Sequence, residues 1–298
     1  MEITTTLLHH YQNGNCDVKL YSDGTKEIEF EGEANPDFPT SMDVKITNWC
    51  DLNCPFCHEM STTKGKHSDT VKLLEILTQL PTGTELALGG GNPLEHPGIL
   101  LILNKLKDSG IIANMTVNYK HLLQYKNEIN YLLDNKLIYG LGLSIEDNFN
   151  IEDLNVINNK SNIVFHVIAG VNSISILNKI KISPVRKVLI LGYKDVGRGI
   201  KYHSEQTDKL KQEWYDELGK HIRKIHLSFD NLALKQLDIK RFLTQKEWDE
   251  FFMGLDGTMT MYIDAVEQKY AVSSTSSNKF NWSSDIKEMF NHVKSMSE

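Results

Sequence analysis

Residues 48–57 read Asn48-Trp49-Cys50-Asp51-Leu52-Asn53-Cys54-Pro55-Phe56-Cys57, and we call this segment the cysteine motif. Three residues separate its first two cysteines, and two residues separate the second pair. A cubane [4Fe-4S] cluster has four irons and is usually held by four thiolates, so a compact motif with three cysteines leaves one iron open to another ligand. The spacing therefore indicates an iron–sulfur cluster with one open coordination position.

A structural zinc site is the alternative for these thiols. Structural zinc prefers four closed protein ligands, which commonly come as two separated pairs and not as one tight triple. His58 follows Cys57 directly and would strain the tetrahedron as a fourth ligand. A zinc-stabilised binding module on an α/β scaffold stays open as the rival interpretation.

The cysteine motif, including Phe56 immediately before the last cysteine, resembles the cluster-binding motif of the radical S-adenosylmethionine (radical SAM) superfamily. The resemblance implies that SAM binds the open iron, and that the reduced cluster cleaves SAM to methionine and a 5′-deoxyadenosyl radical. That radical would abstract hydrogen from the substrate, while the protein positions the reactants and excludes water and oxygen. A one-electron donor such as flavodoxin or ferredoxin is the expected partner.

The composition is typical of a cytoplasmic enzyme. Only four cysteines occur, which argues against a secreted disulfide framework and favours a reducing compartment. The net charge of −7 argues against an extended nucleic-acid-binding face, because such a face needs clustered Lys and Arg. Residues 1–12 lack a signal sequence, and no run approaches the roughly 18 apolar residues of a spanning helix. We therefore expect a soluble, unprocessed protein without membrane contact.

Strand-like and helix-like segments alternate along the chain, which is typical of parallel βα units. Six strands are predicted, at residues 44–46, 85–88, 112–117, 139–145, 163–168 and 187–191. Helices are predicted near residues 70–80, 98–109, 121–134, 152–158, 173–180 and 205–220. An eight-unit barrel takes about 250 residues, so six units need roughly 190. Residues 42–230 therefore predict a partial (β/α)6 barrel, which is also the fold that the radical SAM resemblance implies.

Two flanks remain outside the predicted barrel. Residues 1–41 predict an N-terminal β-hairpin extension, with strands at 17–21 and 27–30 around the favoured turn residues Asp23-Gly24. Residues 231–298 predict a C-terminal α+β extension. Its helix begins at a capping box from Thr244 to Glu247 and is followed by strands at 258–265 and 270–274 and a helix at 285–294. We expect the flanks to cover the open edge or the mouth of the barrel.

A glycine-rich segment, Gly90-Gly91-Asn92-Pro93, follows the second predicted strand. Glycines let the backbone approach a ligand closely, and active sites form at this end of a barrel. The segment resembles the Gly-Gly-Glu-Pro segment that holds the SAM ammonium in radical SAM enzymes, with Asn92 in place of glutamate. The amide oxygen can still accept a hydrogen bond, but without the charge. A plain turn is the alternative, and the departure at Asn92 leaves open a degenerate radical SAM fold with a binding or regulatory role.

Three further strand ends are candidate SAM contacts by the same resemblance. Ser144 closes the fourth predicted strand, where the family places a polar residue on the ribose or the carboxylate. Gly170 closes the fifth, in a segment similar to the one that contacts adenine, and Asn118 closes the third. The alternatives are a capping hydroxyl for Ser144, a tight turn at Gly170 and a turn asparagine at Asn118.

Five residues are candidates for contact with the substrate. Lys194 and Arg198 follow the sixth strand and would place two cations at the mouth, where a guanidinium suits a carboxylate or phosphate. His58 and Glu59 follow the last cysteine, and Asp230 ends a strand-like segment. The alternatives are a solvated charged loop, a helix-start pair and a simple turn.

The cysteine count limits the chemistry. No cysteine follows Cys57, so we expect a single cluster and no C-terminal auxiliary-cluster domain. This argues against oxidative peptide crosslinking and leaves rearrangement, epimerisation, reduction or elimination of a small polar or peptide substrate open. Cys16 is expected to be a small buried strand residue. The sequence identifies no catalytic residue that acts on the substrate.

Overall fold

The computed structural model describes residues 5–297 and begins with a small antiparallel sheet. Its strands, in the order β1-β2-β3, are β1 (Leu7–Asn13), β2 (Cys16–Tyr21) and β3 (Lys26–Phe30). The β2–β3 pair is the predicted hairpin. The sequence did not predict β1, because its residues Leu-Leu-His-His-Tyr-Gln-Asn do not alternate between polar and apolar side chains.

Within residues 5–297, a second sheet contains ten strands. In chain order they are β4 (Ser41–Thr47), β5 (Glu85–Gly90), β6 (Ile112–Asn118), β7 (Gly140–Ser144), β8 (Ile163–Ile168), β9 (Lys187–Leu191), β10 (His226–Phe229), β11 (Thr260–Asp264), β12 (Lys269–Ala271) and β13 (Phe280–Asn281). Their order across the sheet is β10-β9-β8-β7-β6-β5-β4-β11-β12-β13. The run from β10 to β11 is parallel, and β12 and β13 are antiparallel. The predicted α/β class with a large parallel sheet is confirmed.

Each of the six predicted strands coincides with one of the strands β4 to β9, but the parallel run of the described chain has eight members. The additional members are β10 at one edge and β11, which pairs with β4 through the register Ile263 to Val44. The count of six was therefore too low. The segment 258–265 was predicted as a strand, but its parallel pairing with a strand more than 200 residues away leaves no local signal.

Helices cover the connections between the strands. They are α1 (Thr70–Leu77), α2 (Ile99–Asp108), α3 (Tyr119–Gln124), α4 (Lys126–Asp134), α5 (Ile176–Lys181), α6 (Gly199–Tyr202), α7 (Glu205–Glu217), α8 (Asn231–Gln236), α9 (Gln245–Phe251) and α10 (Ile286–Ser295). The single helix predicted at 121–134 is split at Tyr125, and the one at 152–158 is a 3-10 helix at Ile151–Val156. The predicted capping box between Thr244 and Glu247 is present at the start of α9.

No helix in the described part of the chain is both long enough and apolar enough to cross a bilayer.

One face of the large sheet forms the main hydrophobic core. Val44, Leu88 and Leu143 from three strands lie in the same buried cluster as Leu73 of α1 and Leu103 of α2. Because successive side chains of a strand point to opposite faces, the residues between these aliphatic positions point away from the helices. The amphipathic strands thus separate a packed helical side from a second face with a different composition.

That second face, which we call the cavity face, carries small and polar side chains. Ala87, Gly89, Thr116, Gly142 and Ser144 are among its members, and they line a cavity of about 1490 Å³. A closed eight-stranded barrel fills the equivalent space with bulky branched side chains. The small residues leave this space open, so the cavity face can hold ligands.

The hairpin β2–β3 closes the amino end of the strands. Lys26 pairs with Glu85 at 2.7 Å at the start of β5. The carbonyl oxygens of Ser22 and Asp23 in the turn accept hydrogen bonds from Asn162 at 2.9 Å and Lys187 at 2.8 Å, near the starts of β8 and β9. The N-terminal flank was expected at the edge or the mouth, and the structure corrects this: it forms the floor of the cavity.

Candidate functional site at the carboxyl end of the sheet

The cysteine motif lies in a loop of residues 48–66 that follows β4, and we call this segment the cysteine loop. The loop folds back on itself: Cys50 N donates to Thr62 O at 3.0 Å, and Asn48 N donates to Lys66 O at 2.8 Å. Cys50, Cys54 and Cys57 are free, partly exposed, and line the cavity. They therefore lie where the carboxyl ends of parallel strands ordinarily form active sites.

The three thiols are close enough to influence one another electrostatically. Burial raises the pKa of the Cys50 thiol, and the charges of Asp51 and Cys57 raise it further. Hydrogen bonds from the backbone N–H groups of Leu52 and Asn53 lower it in part. Burial and the neighbouring Cys57 and Cys50 also raise the pKa of Cys54. A bound metal centre would favour the thiolate forms of these cysteines. Three cysteines of one loop that line the same cavity fit an iron–sulfur cluster with one open position.

His121 is a member of the site that the sequence did not predict. It lies in α3, and its Nε2 is 2.8 Å from Asp51 Oδ1, next to Cys50. The ligand atoms of Cys50, Asp51 and His121 all lie within 4.8 Å of one another. The histidine carries no spacing signal because it is 70 residues from Asp51 in the sequence. His121 therefore supports the cysteine loop from α3, the helix that follows β6.

Arg198 holds the cysteine loop in place. Its Nε donates to Cys54 O at 2.8 Å, and both terminal nitrogens donate to Ser61 O at 3.1 Å. Its backbone N–H donates to Cys57 O at 3.1 Å. Gly197 allows this approach, since a Cβ at that position would lie 2.3 Å from His58 O. Arg198 was predicted to face a substrate carboxylate or phosphate; its guanidinium binds backbone carbonyls of the loop, and because it also lines the cavity, a contact with substrate stays a prediction.

A buried ion network lies behind the loop. Lys45 Nζ is 2.9 Å from Glu59 Oε2 and 3.0 Å from Asp264 Oδ2, and Tyr262 donates to Glu59 Oε1 at 3.1 Å. The side chains of Lys45, Glu59 and Asp264 are 8%, 9% and 5% exposed. Burial alone would lower the pKa of Lys45, but its two carboxylate partners raise it. Burial likewise opposes ionisation of Glu59, yet His58 and Lys45 hold the pKa of Glu59 well below its usual range.

Glu59 was predicted as a candidate substrate contact. Both of its oxygens are instead bound inside the protein, to Lys45 and Tyr262. It ties the cysteine loop to β4 and β11. A side chain that is nine-tenths buried and fully partnered supports the structure, and because Glu59 also lines the cavity, its contact with substrate stays a prediction.

Gly90 and Gly91 bring the end of β5 against the cysteine loop. Gly91 N donates to Thr47 O at 2.8 Å, and a Cβ at Gly90 or Gly91 would lie 2.2 Å from Thr47 O or 2.0 Å from Trp49 O. Gly90 also has a φ of +111°, which a residue with a side chain rarely adopts. Both glycines line the cavity beside the cysteines. Glycine is therefore required here for loop packing, and a contact of these glycines with SAM stays a prediction.

Asn92 and Pro93 lie behind the glycines and do not line the cavity. Pro93 begins a short 3-10 turn, Pro93–Glu95, and Asn92 Oδ1 accepts a hydrogen bond from Leu94 N at 3.2 Å. Asn92 is completely buried, and its Nδ2 has no hydrogen-bond partner among residues 5–297. The structure thus gives Asn92 a capping function, and a contact of its side chain with SAM stays a prediction.

The other candidate SAM contacts differ in their access to the cavity. Phe56, Asn118 and Ser144 line it, whereas Gly170 does not. Asn118 Oδ1 also caps α3 by accepting from Lys120 N at 2.9 Å. The Phe56 ring packs edge-on against Tyr202 at 5.6 Å between centroids, which holds the last cysteine turn against α6.

The remaining substrate candidates lie at the mouth and have partners of their own. Lys194 Nζ donates to Ser274 Oγ at 3.0 Å and lies 3.4 Å from His58 Nε2. Asp230 Oδ1 accepts from Gly192 N at 2.9 Å and from Ala233 N at 2.7 Å, so it caps α8. Lys194, His58 and Asp230 all line the cavity and remain candidates for contact with a bound molecule.

No protein-family model and no curated protein matches this chain. Among solved structures, Streptococcus suis SuiB bound to the precursor peptide SuiA superposes with a TM-score of 0.57 at 16% identity, over 83% of this chain and 63% of SuiB. SuiB bound to S-adenosylmethionine gives a TM-score of 0.55 at 15% identity, over 89% of this chain and 67% of SuiB. The chain thus spans about 63% of the length of SuiB in the first comparison. At these identities the likeness establishes that the chain shares the fold of SuiB.

Proposed function

We propose that the protein is a cytoplasmic radical SAM enzyme whose Cys50, Cys54 and Cys57 hold one [4Fe-4S] cluster. When bound, the cluster supplies the electron that cleaves SAM to methionine and a 5′-deoxyadenosyl radical, which abstracts hydrogen from the substrate. The observation that carries the proposal is that all three cysteines of one loop line the same large cavity, at the carboxyl end of a parallel sheet. The sheet would then be the open, partial barrel that the resemblance implies, formed by residues 42–230 together with β11 of the C-terminal extension, which pairs with β4.

Some residues of the site hold the cysteine loop in place, and others line the cavity beside it. Arg198 and the Lys45–Glu59 pair hold the loop that presents the thiols. Gly90, Gly91, Asn118 and Ser144 line the cavity next to the loop, where we place SAM. Typical ligand pockets measure about 300–1,000 Å³, so the cavity of about 1490 Å³ has room for SAM and a second molecule.

We further propose a peptide as the substrate class, with a small polar molecule as the alternative. SuiB, which shares the fold, was crystallised with the precursor peptide SuiA. The proposed electron donor is a flavodoxin or ferredoxin.

The decisive experiment is SAM cleavage by the anaerobically reconstituted protein. After reduction with dithionite, we expect 5′-deoxyadenosine and methionine to form slowly even without substrate, as measured by chromatography. A variant with alanine at all three motif cysteines is the matched control. Product at the level of this control would favour the degenerate radical SAM fold with a binding function.

A zinc-stabilised binding module is the second candidate, and one observation favours it. Cys50, Asp51 and His121 bring three ligand atoms of the types that zinc accepts within 4.8 Å of one another. Metal analysis separates the two, since a [4Fe-4S] cluster gives about four iron and four sulfide per chain. Stoichiometric zinc without sulfide would replace the cluster proposal.

The hydrogen bonds from Arg198 to the carbonyl oxygens of Cys54 and Ser61, which we call the Arg198 clamp, yield a prediction about cluster retention. Arg198→Met removes the charge-assisted hydrogen bonds to Cys54 O and Ser61 O, and each such bond contributes about 1.5–3 kcal/mol. We expect the reconstituted variant to lose iron to a chelator about tenfold faster than the parent, followed by absorbance of the iron–chelator complex.

Arg223→Met is the matched control for this measurement. Arg223 pairs with Glu247 at 2.7 Å on the protein surface and is 68% exposed, so its loss should leave the rate unchanged. Equal rates of iron loss in the parent and in Arg198→Met would show that the clamp does not protect the cluster.

A further inference from the structure

A loop rich in hydroxyl groups reaches the mouth of the cavity from the C-terminal part of the chain. It joins β12 to β13 and reads Ser273-Ser274-Thr275-Ser276-Ser277-Asn278-Lys279, and we call it the serine loop. Ser273 N donates to Ser276 Oγ at 3.0 Å, and Ser276 N donates back to Ser273 O at 3.2 Å, so the loop closes into a tight turn. Ser274 of this turn lines the cavity.

Lys194 binds this turn from the connection after β9. Its Nζ donates to Ser274 Oγ at 3.0 Å and lies 3.4 Å from His58 Nε2, and all three residues line the cavity. An ammonium group has three N–H donors and no acceptor, so one donor of Lys194 is left after these two contacts. The Ser274 hydroxyl also keeps its own hydrogen to donate, because its oxygen accepts the bond from Lys194. Two free donors therefore lie side by side at the mouth.

A second cation belongs to the same group of side chains. Lys279 ends the serine loop, and its Nζ lies over the ring of Tyr262 at 4.9 Å from the centroid. Tyr262 donates to Glu59 Oε1 at 3.1 Å. That oxygen is 3.4 Å from His58 Nε2, the atom that Lys194 approaches. This series of contacts brings both lysines to one place at the mouth.

No carboxylate neutralises either lysine directly. Lys194 and Lys279 are both half-buried, and neither forms an ion pair with any residue from 5 to 297. Asp43 and Asp230 feel the charge of Lys194 without contacting it: burial raises the pKa of each carboxyl, and Lys194 opposes that rise. A half-buried cation that lacks a counterion gains from an anionic ligand.

The serine loop adds backbone donors to this place. The N–H groups of Ser274 and Thr275 donate to no group within residues 5–297. Successive free N–H groups in a turn form a concave surface that suits anions. The mouth therefore combines two ammonium groups, a hydroxyl and backbone N–H groups, which together complement an oxyanion.

We propose that the mouth of the cavity binds an oxyanion of the substrate, a carboxylate or a phosphate, through Lys194, Lys279 and the Ser274 hydroxyl. This inference deepens the proposed function and rests on it for the word substrate. A peptide would present a carboxylate at its C terminus or on an acidic side chain, and a phosphate on a modified hydroxyl. Charge-assisted hydrogen bonds from several donors would fix such a group at the mouth while the rest of the molecule enters the cavity.

Binding of three blocked amino acids to the reconstituted protein tests this proposal. The probes are Nα-acetylalanine with a carboxylate, Nα-acetylalanine methylamide without charge, and Nα-acetyl-O-phosphoserine methylamide with a phosphate. Hydrogen bonds to charged groups are about twice as strong as those between neutral groups. We therefore expect at least one anionic probe to bind about tenfold more tightly than the uncharged probe in an anaerobic NMR titration. The tighter of the two anionic probes identifies the oxyanion as carboxylate or phosphate.

Two variants of the site and one control complete the test. Lys194→Met removes the charge and should abolish the preference for the anionic probe. Ser274→Ala removes a single hydroxyl from the turn and should weaken the anionic probe about fivefold. Lys120→Met is the matched control, because Lys120 lines the same cavity but is paired with Glu146 at 3.1 Å, and it should keep the preference. Equal affinity for charged and uncharged probes, or an undiminished preference in Lys194→Met and Ser274→Ala, would overturn the proposal.

The titration is independent of SAM chemistry. A protein that prefers the anionic probe through Lys194 but forms no 5′-deoxyadenosine would contradict the proposed function and leave the oxyanion site standing. Cleavage of SAM without any charge preference would do the reverse.

Discussion

Alanine in place of Cys50, Cys54 or Cys57 is expected to abolish cluster binding, whereas Cys16→Ala is expected to keep it. With one thiolate removed, a cluster with an open iron has only two protein ligands left. Cys16 lies wholly buried in β2, in a small hydrophobic cluster with Val18 and Met259. Iron and sulfide content after anaerobic reconstitution, with the visible absorption of the cluster, measures the effect. Iron loss in Cys16→Ala would contradict the assignment of a single binding motif.

The secondary structure of the three cysteine variants distinguishes an iron–sulfur cluster from a structural zinc site. The cysteine loop keeps its contacts with Arg198 and with Lys45 in each of them, so we expect the far-ultraviolet circular dichroism to stay that of the parent. Structural zinc sites, in contrast, contribute folding energy outright. Loss of secondary structure on replacing one cysteine would therefore favour the zinc interpretation.

Lys45→Met is expected to lower the free energy of unfolding by about 3–5 kcal/mol. The substitution leaves Glu59 and Asp264 as buried carboxylates without a cation, and breaking a buried ion pair from one side costs this amount. Urea unfolding followed by circular dichroism measures the change. Lys120→Met is the matched control: Lys120 pairs with Glu146 at 3.1 Å at 59% and 42% exposure, and such pairs contribute less than about 1 kcal/mol.

A rescue variant tests the reason for this loss. When Glu59→Gln and Asp264→Asn accompany Lys45→Met, no charge remains buried, so part of the lost stability should return. If the triple variant is as unstable as the sum of its parts, the loss arises from packing around Lys45 and not from its charge.

Local features of the fold were predictable from the sequence because neighbouring residues carry them. The strands β4 to β9 contain closely spaced aliphatic residues. The helix α9 begins at a capping box whose two members are three residues apart. The cysteine motif is equally local, since ten consecutive residues contain all three thiols. Each of these signals can be recognised from a short segment of neighbouring residues.

Contacts between distant parts of the chain were not predictable. Lys45 and Asp264 are separated by 219 residues, and Arg198 is 144 residues from Cys54. An arginine after a strand looks the same in the sequence whether it faces a substrate or the carbonyls of another loop. Asp43 carries a local signal: a charged residue between the buried Met42 and Val44 of a strand faces the side of the sheet opposite the helices.

The long separation between the cysteine loop and its clamp also imposes an order of assembly. A ribosome that adds about 5–20 residues per second reaches Arg198 roughly 7–30 s after Cys54, because 144 residues lie between them. The strand β11, which carries Asp264, emerges later still. Until both have arrived, the three thiols belong to a nascent chain that cannot hold them in position. If the cysteine loop holds the proposed cluster, we therefore expect the cluster to be inserted after translation, once Arg198 and Asp264 have joined the loop.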